Sequence, residues 1–278
     1  MANITAADVN KLRQITGAGM MDCKYALIES EGDFDKAIEY LRKKGQKVAN
    51  KRADRNANEG MVIAKVNESK DYGAIIMLNC ETDFVAKNKD FADLANDIID
   101  LAVKNKVRGL DELNAMTING TTVADKVIEL TGKTGEKTTL AHCQVIAAPI
   151  VFAYNHHGNR LGSMAGFDKK DVNDIDVLGK DIVMQIAAMN PIAIDKDNVS
   201  AETIAKEIEI GKEIAIQEGK PAELAEKIAM GKLGKFFKEN TLLNQDFIKD
   251  GSITVKDYMA RVDKNLKITD MKRIMLGA

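Results

Sequence analysis

Apolar positions recur three and four residues apart at the start of the chain, a spacing that predicts helices. Val9, Leu12 and Ile15 form one such series behind Thr5 and Asp8, which are placed as an N-cap and an acidic third residue. Thr16-Gly17-Ala18-Gly19 interrupts the series, because glycine lets the backbone turn. Met20, Ala26, Leu27 and Ile28 mark a second helix, and Glu31-Gly32-Asp33 a second break. Phe34, Ala37, Ile38 and Leu41 mark a third helix, expected to end at Gly45. A three-helix module over residues 1–45 follows. From Met61 the apolar period drops to two. Segments 61–66 and 72–79 bracket the polar run Asn67-Glu68-Ser69-Lys70-Asp71 and predict a β-hairpin. Phe91, Leu94, Ala95, Ile98, Ile99 and Ala102 then line one face of a helix.

A second cycle of the same kind comes next, with strands near 143–154 and 160–167 and a helix over 175–189 that stops before Pro191. Leu94, Asp97 and Ile98 recur at equivalent positions as Leu178, Asp181 and Ile182. Two related halves, 60–140 and 141–199, are therefore expected to pack as one core. Residues 200–240 read as a helical hairpin. Ser200 caps its first helix, Ile204, Ile208 and Ala215 share a side, and Gly219-Lys220-Pro221 makes the turn. Leu224, Ile228 and Leu233 continue the stripe. The last segment, 241–278, returns to the core with a helix near 255–263 and a strand near 266–276. The fold class is α+β: antiparallel sheets with packed helices, a small helical domain in front and a protruding hairpin behind.

Composition narrows the function. A chain of 278 residues with 45% hydrophobic and 29% charged content is an ordinary globular sequence. Its formal net charge of −2 gives no general attraction to nucleic acid or anionic membranes. Aromatic residues make up 5% and tryptophan is absent, so platforms for stacking bases are few. Three cysteines without a C-x-x-C pair fit a reducing compartment. No apolar run reaches the length of a membrane span, and MANITAADVN lacks a charged-then-apolar signal pattern. A cytoplasmic protein is expected.

One stretch departs from this balance. Residues 42–55 hold seven Lys or Arg and one Asp, and the flank 50–59 has no apolar stripe. We read 46–59 as a basic linker. Its alternative use is an RNA- or ribosome-binding module. His142, Cys143, His156 and His157 lie in adjacent pairs and lack the spacing typical of zinc ligands, so no metal site and no cofactor are expected. No activated nucleophile or Gly-rich phosphate loop is present, and the chain is not expected to be an enzyme.

The most informative segment is the corner at the end of the 73–80 strand. Glu81-Thr82-Asp83-Phe84-Val85-Ala86-Lys87 sets a carboxylate and a large ring side by side between charged neighbours. Held in a core, Phe84 would be packing and Thr82 or Asp83 a helix cap. Facing solvent, Phe84 would be a wedge that fills a partner's pocket while Asp83 places charge beside it. Met20 and Met21 are consecutive on a helix and cannot both face inward, so this turn also offers an apolar contact.

Thr82-Asp83-Phe84-Val85-Ala86-Lys87 resembles the TDFVAK signature of the bacterial elongation factor Ts family, and Thr16 to Lys24 (TGAGMMDCK) resembles its amino-terminal motif. The likeness covers most of the chain. It implies a ubiquitin-associated type of amino-terminal domain and guanine nucleotide exchange on elongation factor Tu, whether GDP-bound or nucleotide-free. By the same resemblance, Thr82, Asp83, Phe84 and Val85 dislodge the partner's Mg²⁺. Leu12, Met20 and Met21 dock on its nucleotide domain, as does His157 in His157-Gly158-Asn159-Arg160-Leu161-Gly162. The hairpin resembles the family's protruding arm, and whether two copies pair through it is open at this point. Three departures stand out. Thr134 precedes Gly135-Glu136 where the family carries an apolar residue, and Asp246 replaces the proline of an LxxQPF element. The family's terminal helix is also not expected after the last strand pattern.

Overall fold

The computed structural model describes residues 4–277, the side chains of Ala222 and Glu223 excepted. Residues 1–3 and 278 of the expected terminal segments lie outside that range. Three helices open the chain: α1 (Ala6–Thr16), α2 (Met20–Glu29) and α3 (Phe34–Lys51). Thr5 and Asp8 form a reciprocal capping box on α1, and Gly17 ends that helix in the left-handed region at φ 65°. Val9, Leu12, Cys23, Ala26, Leu27 and Ala37 make the small core of this module.

Helix α3 does not stop at Gly45; it runs to Lys51 and absorbs half of the segment read as a linker. Gly45 is a packing residue. A Cβ added at Gly132 would lie 2.7 Å from the Gly45 Cα, so the two glycines let α3 cross α7 (Val123–Thr134) at backbone contact.

The body begins with β1 (Glu59–Val66) and β2 (Tyr72–Cys80), followed by α4 (Asp83–Ala86), α5 (Lys89–Asn105) and α6 (Leu110–Ala115). A two-residue ladder, β3 (Thr117–Ile118) with β4 (Thr121–Thr122), leads into α7. Three longer strands come next: β5 (Thr138–Ala147), β6 (Ile150–Asn155) and β7 (Leu161–Phe167). The segment expected as one strand over 143–154 is thus two strands in different sheets. Pro149 lies at the break; it has no N–H to give a ladder, so the chain leaves the first sheet there and enters the second. Accordingly the boundary between the halves falls after Ala147, not at 140.

Both sheets are antiparallel. The first has the order β1-β2-β5 and the second β10-β7-β6, where β10 (Ile268–Met275) is the last strand of the chain. Helix α5 covers the outer face of the first sheet through Phe91, Ala95, Ile98 and Ile99. Helix α8 (Ile175–Met189) covers the outer face of the second through Leu178, Ile182 and Ile186. Between the sheets Val62, Ala64 and Ile75 meet Val151, Met164 and Ile274. The order is helix, sheet, sheet, helix. Strand β2 is buried on both faces, which explains its unbroken apolar run.

The internal match at Asp97 and Asp181 does not extend to environment. Asp97 is exposed, whereas Asp181 is buried and accepts from Lys249 Nζ at 2.6 Å and the Tyr258 hydroxyl at 2.8 Å. Burial, with that hydrogen bond second, pushes the Tyr258 hydroxyl up to about 12. The arm, α9 (Ala201–Gln217) with α10 (Ala222–Asn240), is fastened to α8 by two buried amides. Gln185 Nε2 donates to Gln245 Oε1 at 3.2 Å, and Gln245 Nε2 donates to the Glu239 carbonyl at 2.9 Å. Asp246 stays exposed and pairs with Lys238 at 3.1 Å, while Phe247 stacks on Tyr258, which lies on α11 (Val255–Val262), with ring centres 4.1 Å apart. A short ladder, β8 (Asp246–Phe247) with β9 (Asp250–Thr254), completes this base.

Cys23, Cys80 and Cys143 are free and buried. Burial pushes the Cys80 thiol up to about 12 and that of Cys143 to about 11. At pH 8 the thiolate fraction of Cys80 is therefore on the order of 10⁻⁴, and only the thiolate reacts. Titration with Ellman's reagent should find no reactive thiol in the native protein within minutes and three after guanidinium unfolding. A full equivalent released from the native protein would contradict the burial of these groups.

Candidate functional site

The corner is built from the end of β2 outward. Cys80 closes the strand, and its thiol donates to the Thr82 carbonyl at 3.1 Å. Thr82 is the N-cap of α4: its Oγ1 accepts from the Val85 N–H at 3.4 Å. Glu136, which follows α7, grips the same residue twice, accepting from Thr82 N at 3.0 Å and from Thr82 Oγ1 at 2.8 Å. Val85 and Ala86 turn inward and pack on the first core. With these two sides fixed, the remaining face of the turn must point out. Phe84 is 83% exposed. No other large apolar side chain among the described residues is as exposed.

Asp83 is half exposed and accepts from Lys87 Nζ at 2.6 Å, an i,i+4 pair open to solvent. That hydrogen bond is the main reason its carboxyl sits below the usual carboxylate range. An exposed pair of this kind is weak, so Asp83 is free to exchange Lys87 for another cation. The carboxylate is local and accessible at once.

The turn between β6 and β7 flanks the corner. Asn159 accepts from the Val62 N–H at 2.7 Å, which ties the turn to β1. Arg160 is kept protonated by its hydrogen-bonded pair with Glu59, and the nearby Asp83 charge acts in the same direction. Phe84, Asp83 and the 156–160 turn thus share one end of the molecule. Of the adjacent histidines, His156 Nδ1 is hydrogen-bonded to the Tyr154 hydroxyl at 2.9 Å, and His157 is exposed beside Gly158.

The amino-terminal candidates divide. Leu12 is fully buried in the three-helix core and offers no side chain to a partner, so its expected contact role is withdrawn. It is held there because Val9 and Leu12 define the inward face of α1. Met20 and Met21 are both exposed, at 55% and 53%. Tyr25 and Ile28, which lie four and seven positions beyond Met21, are exposed with them and continue one apolar stripe along α2. In the sequence Ile28 marks only the helix, and Tyr25 is not singled out. The signal was present, since α2 carries apolar residues on both faces and only one can face a three-helix core.

Four of the seven cations of the basic stretch are in ion pairs. Arg42 pairs with Glu129, Lys43 with Glu39, Lys44 with Asp22, and Arg52 with Glu81. His142 and Cys143 lie on β5 and the other two histidines at the β6–β7 turn. Among the described residues, no helix is long and apolar enough to cross a membrane.

Comparison with known proteins supplies the family. A family model described as Elongation factor TS matches residues 81–278, starting at the corner itself. A protein named Elongation factor Ts from Flavobacterium psychrophilum is 52% identical over 277 residues, covering 100% of both chains. Those of that name from Amoebophilus asiaticus and Porphyromonas gingivalis are 51% identical over 275 residues and 43% over 276, each covering 99% of both chains. Identity of this extent along the whole length, with the corner and the 16–24 motif inside it, shows that the chain belongs to the elongation factor Ts family of translation elongation factors.

Proposed function

We propose that the protein is a guanine nucleotide exchange factor for elongation factor Tu. It acts in the cytoplasm and performs no covalent chemistry of its own. The carrying observation is Phe84, a freely exposed ring on a turn whose other faces are fixed by Glu136 and by the core. In this reading Phe84 enters the partner beside its Mg²⁺ site, and Asp83 brings a competing acceptor. Mg²⁺ requires near-ideal octahedral geometry and bridges the nucleotide phosphates. A shift of about an ångström in the partner's loops spoils that geometry, and GDP then loses the cation that neutralises it.

Magnitude sets the design. Burying one Phe is worth about 1.5–3 kcal/mol, against about 12 kcal/mol for nanomolar nucleotide affinity. One wedge cannot expel such a ligand. Met20, Met21 and His157 are the further contacts that let the factor prefer nucleotide-free partner, because a binder shifts an equilibrium only by its differential affinity. The same linkage makes GDP or GTP release the factor again. Exposed Ile210, Ile214 and Met230 on the arm are the surface that self-association would use.

Stopped-flow release of a fluorescent GDP from elongation factor Tu tests this reading. Wild-type protein should raise the off-rate by orders of magnitude, and the Asp83→Ala, Phe84→Ala double variant should lose most of that gain. An off-rate indifferent to wild-type protein refutes exchange. A double variant as fast as wild type refutes the wedge alone.

A further inference from the structure

We infer that Glu136 is a positioning residue for the wedge, and that the Arg52–Glu81 pair fastens the amino-terminal module to the same corner. The inference rests on the exchange reading above and concerns how the wedge is aimed. Helix α4 has only one turn, so it cannot hold Phe84 rigid by its own hydrogen bonds. Its stiffness is imported. Gly135 ends α7 in the left-handed region at φ 73°, and this turn delivers Glu136 and Lys137 to the corner. Both Glu136 oxygens face Thr82, one on its N–H at 3.0 Å and one on its hydroxyl at 2.8 Å. A carboxylate from the turn after α7, distant in sequence, thus performs the part that a local capping box plays elsewhere.

The next residue makes the second link. Lys137 donates its N–H to Glu81 Oε1 at 2.6 Å, while its Nζ reaches the carbonyls of Ala53 and Arg55 at 2.7 and 3.0 Å. Glu81 in turn receives both its oxygens' contacts from Arg52 Nη1, at 2.8 and 2.9 Å. The end of α3 is therefore clasped by the two residues that border the wedge's anchors. Higher up, Arg42 on Glu129 at 3.2 Å and the Gly45–Gly132 crossing lay α3 along α7. Module, α7 and corner form one piece, so a partner seated on Met20 and Met21 meets Phe84 at a fixed offset. Preorganisation of this kind removes the ordering cost of a second contact.

The two links should fail differently in the GDP-release experiment when the factor concentration is varied. Misplacement by an ångström costs up to about 10²-fold, so Glu136→Ala should lower the maximal release rate about tenfold. Its half-saturating concentration should stay within about twofold of wild type, and Glu136→Gln, which retains one acceptor, should recover part of the rate. Arg52→Ala should instead raise the half-saturating concentration about threefold while the maximal rate is kept. Hydrogen exchange at amides 82–87 should quicken in Glu136→Ala. Lys249→Ala, which removes the partner of the buried Asp181 on α8, controls for general loss of stability. If Glu136→Ala matches wild type, or loses no more rate than the Lys249 control, the positioning role is wrong. If Arg52→Ala leaves half-saturation unchanged, the fastening role is wrong. If wild-type protein itself fails to accelerate release, the exchange reading falls, and this inference with it.

Discussion

Phe84→Ala lowers the maximal rate of GDP release from elongation factor Tu by about 10- to 100-fold and leaves the thermal midpoint within about a degree. Both halves come from one number. The ring is 83% exposed in the free protein, so truncating it removes almost nothing from the fold. Seated in a partner it would contribute about 1.5–3 kcal/mol, and each 1.4 kcal/mol is a factor of ten. How the loss is distributed reports the mechanism. A ring that merely adds affinity raises the half-saturating concentration and spares the maximal rate. A ring that engages fully only as the cation site opens lowers the maximal rate, the analogue of binding energy realised in the transition state. Asp83→Asn should cost less, about two- to fivefold, because its exposed pair with Lys87 shows a carboxylate only weakly committed. A thermal midpoint lowered by several degrees in Phe84→Ala would mean that the ring belongs to the fold.

Local chemistry was legible in the sequence, and long-range geometry was not. Thr5 with Asp8, Ser200 with Thr203 and Thr254 with Asp257 announce helix starts, because each cap is made within three residues. The hairpin of β1 and β2 and the helices α5 and α8 are legible for the same reason: their periods are written along the segment that adopts them. Gly45 misled because glycine has two uses, ending a helix and admitting a neighbour, and only the far side of α7 shows which applies. Pro149 marked the change of sheet, yet a run of apolar residues around it concealed the break.

The site divides along the same line. Phe84 stood out because a ring between Asp83 and a charged flank has no local reason to be there. Leu12 was misassigned because inward and outward positions on a short amphipathic helix are separated only by its packing. Glu136 was invisible as an anchor: 54 residues separate it from Thr82, and no pattern in either segment names the other. Two residues before it stands Thr134. That hydroxyl turns to the Leu130 carbonyl at 2.9 Å and accepts the Glu136 N–H at 3.3 Å, so the departure from the family pattern serves the turn that presents Glu136.

Gly60→Ala should cost about 3–5 kcal/mol, the largest loss of stability expected from adding one methyl group to this protein. Gly60 is buried on β1 at φ 142°, a region of backbone space that is essentially reserved for glycine. Space forbids the methyl as well: a Cβ there would lie 2.0 Å from the Leu78 carbonyl oxygen and 2.8 Å from the Asn79 Cα. Backbone atoms of a central strand cannot step aside as a flexible side chain would. The strand must therefore separate, and it must do so where Gly60 pairs with Asn79 and Glu59 with Cys80, directly beneath the corner. Glu59 also carries the Arg160 pair and accepts from Asn79 Nδ2 at 3.2 Å, so the 156–160 turn loosens with it. A midpoint lower by about 10 °C is expected for a domain of this size, with faster hydrogen exchange at 59–62 and 78–84. Gly120→Ala provides the contrast. Gly120 has φ 78° but nothing within 4 Å of an added Cβ, so it should cost only about 1–2 kcal/mol, the conformational penalty alone. Equal losses at the two positions would show that strand separation at Leu78 contributes nothing, and that the corner does not depend on the close approach of Gly60 beneath it.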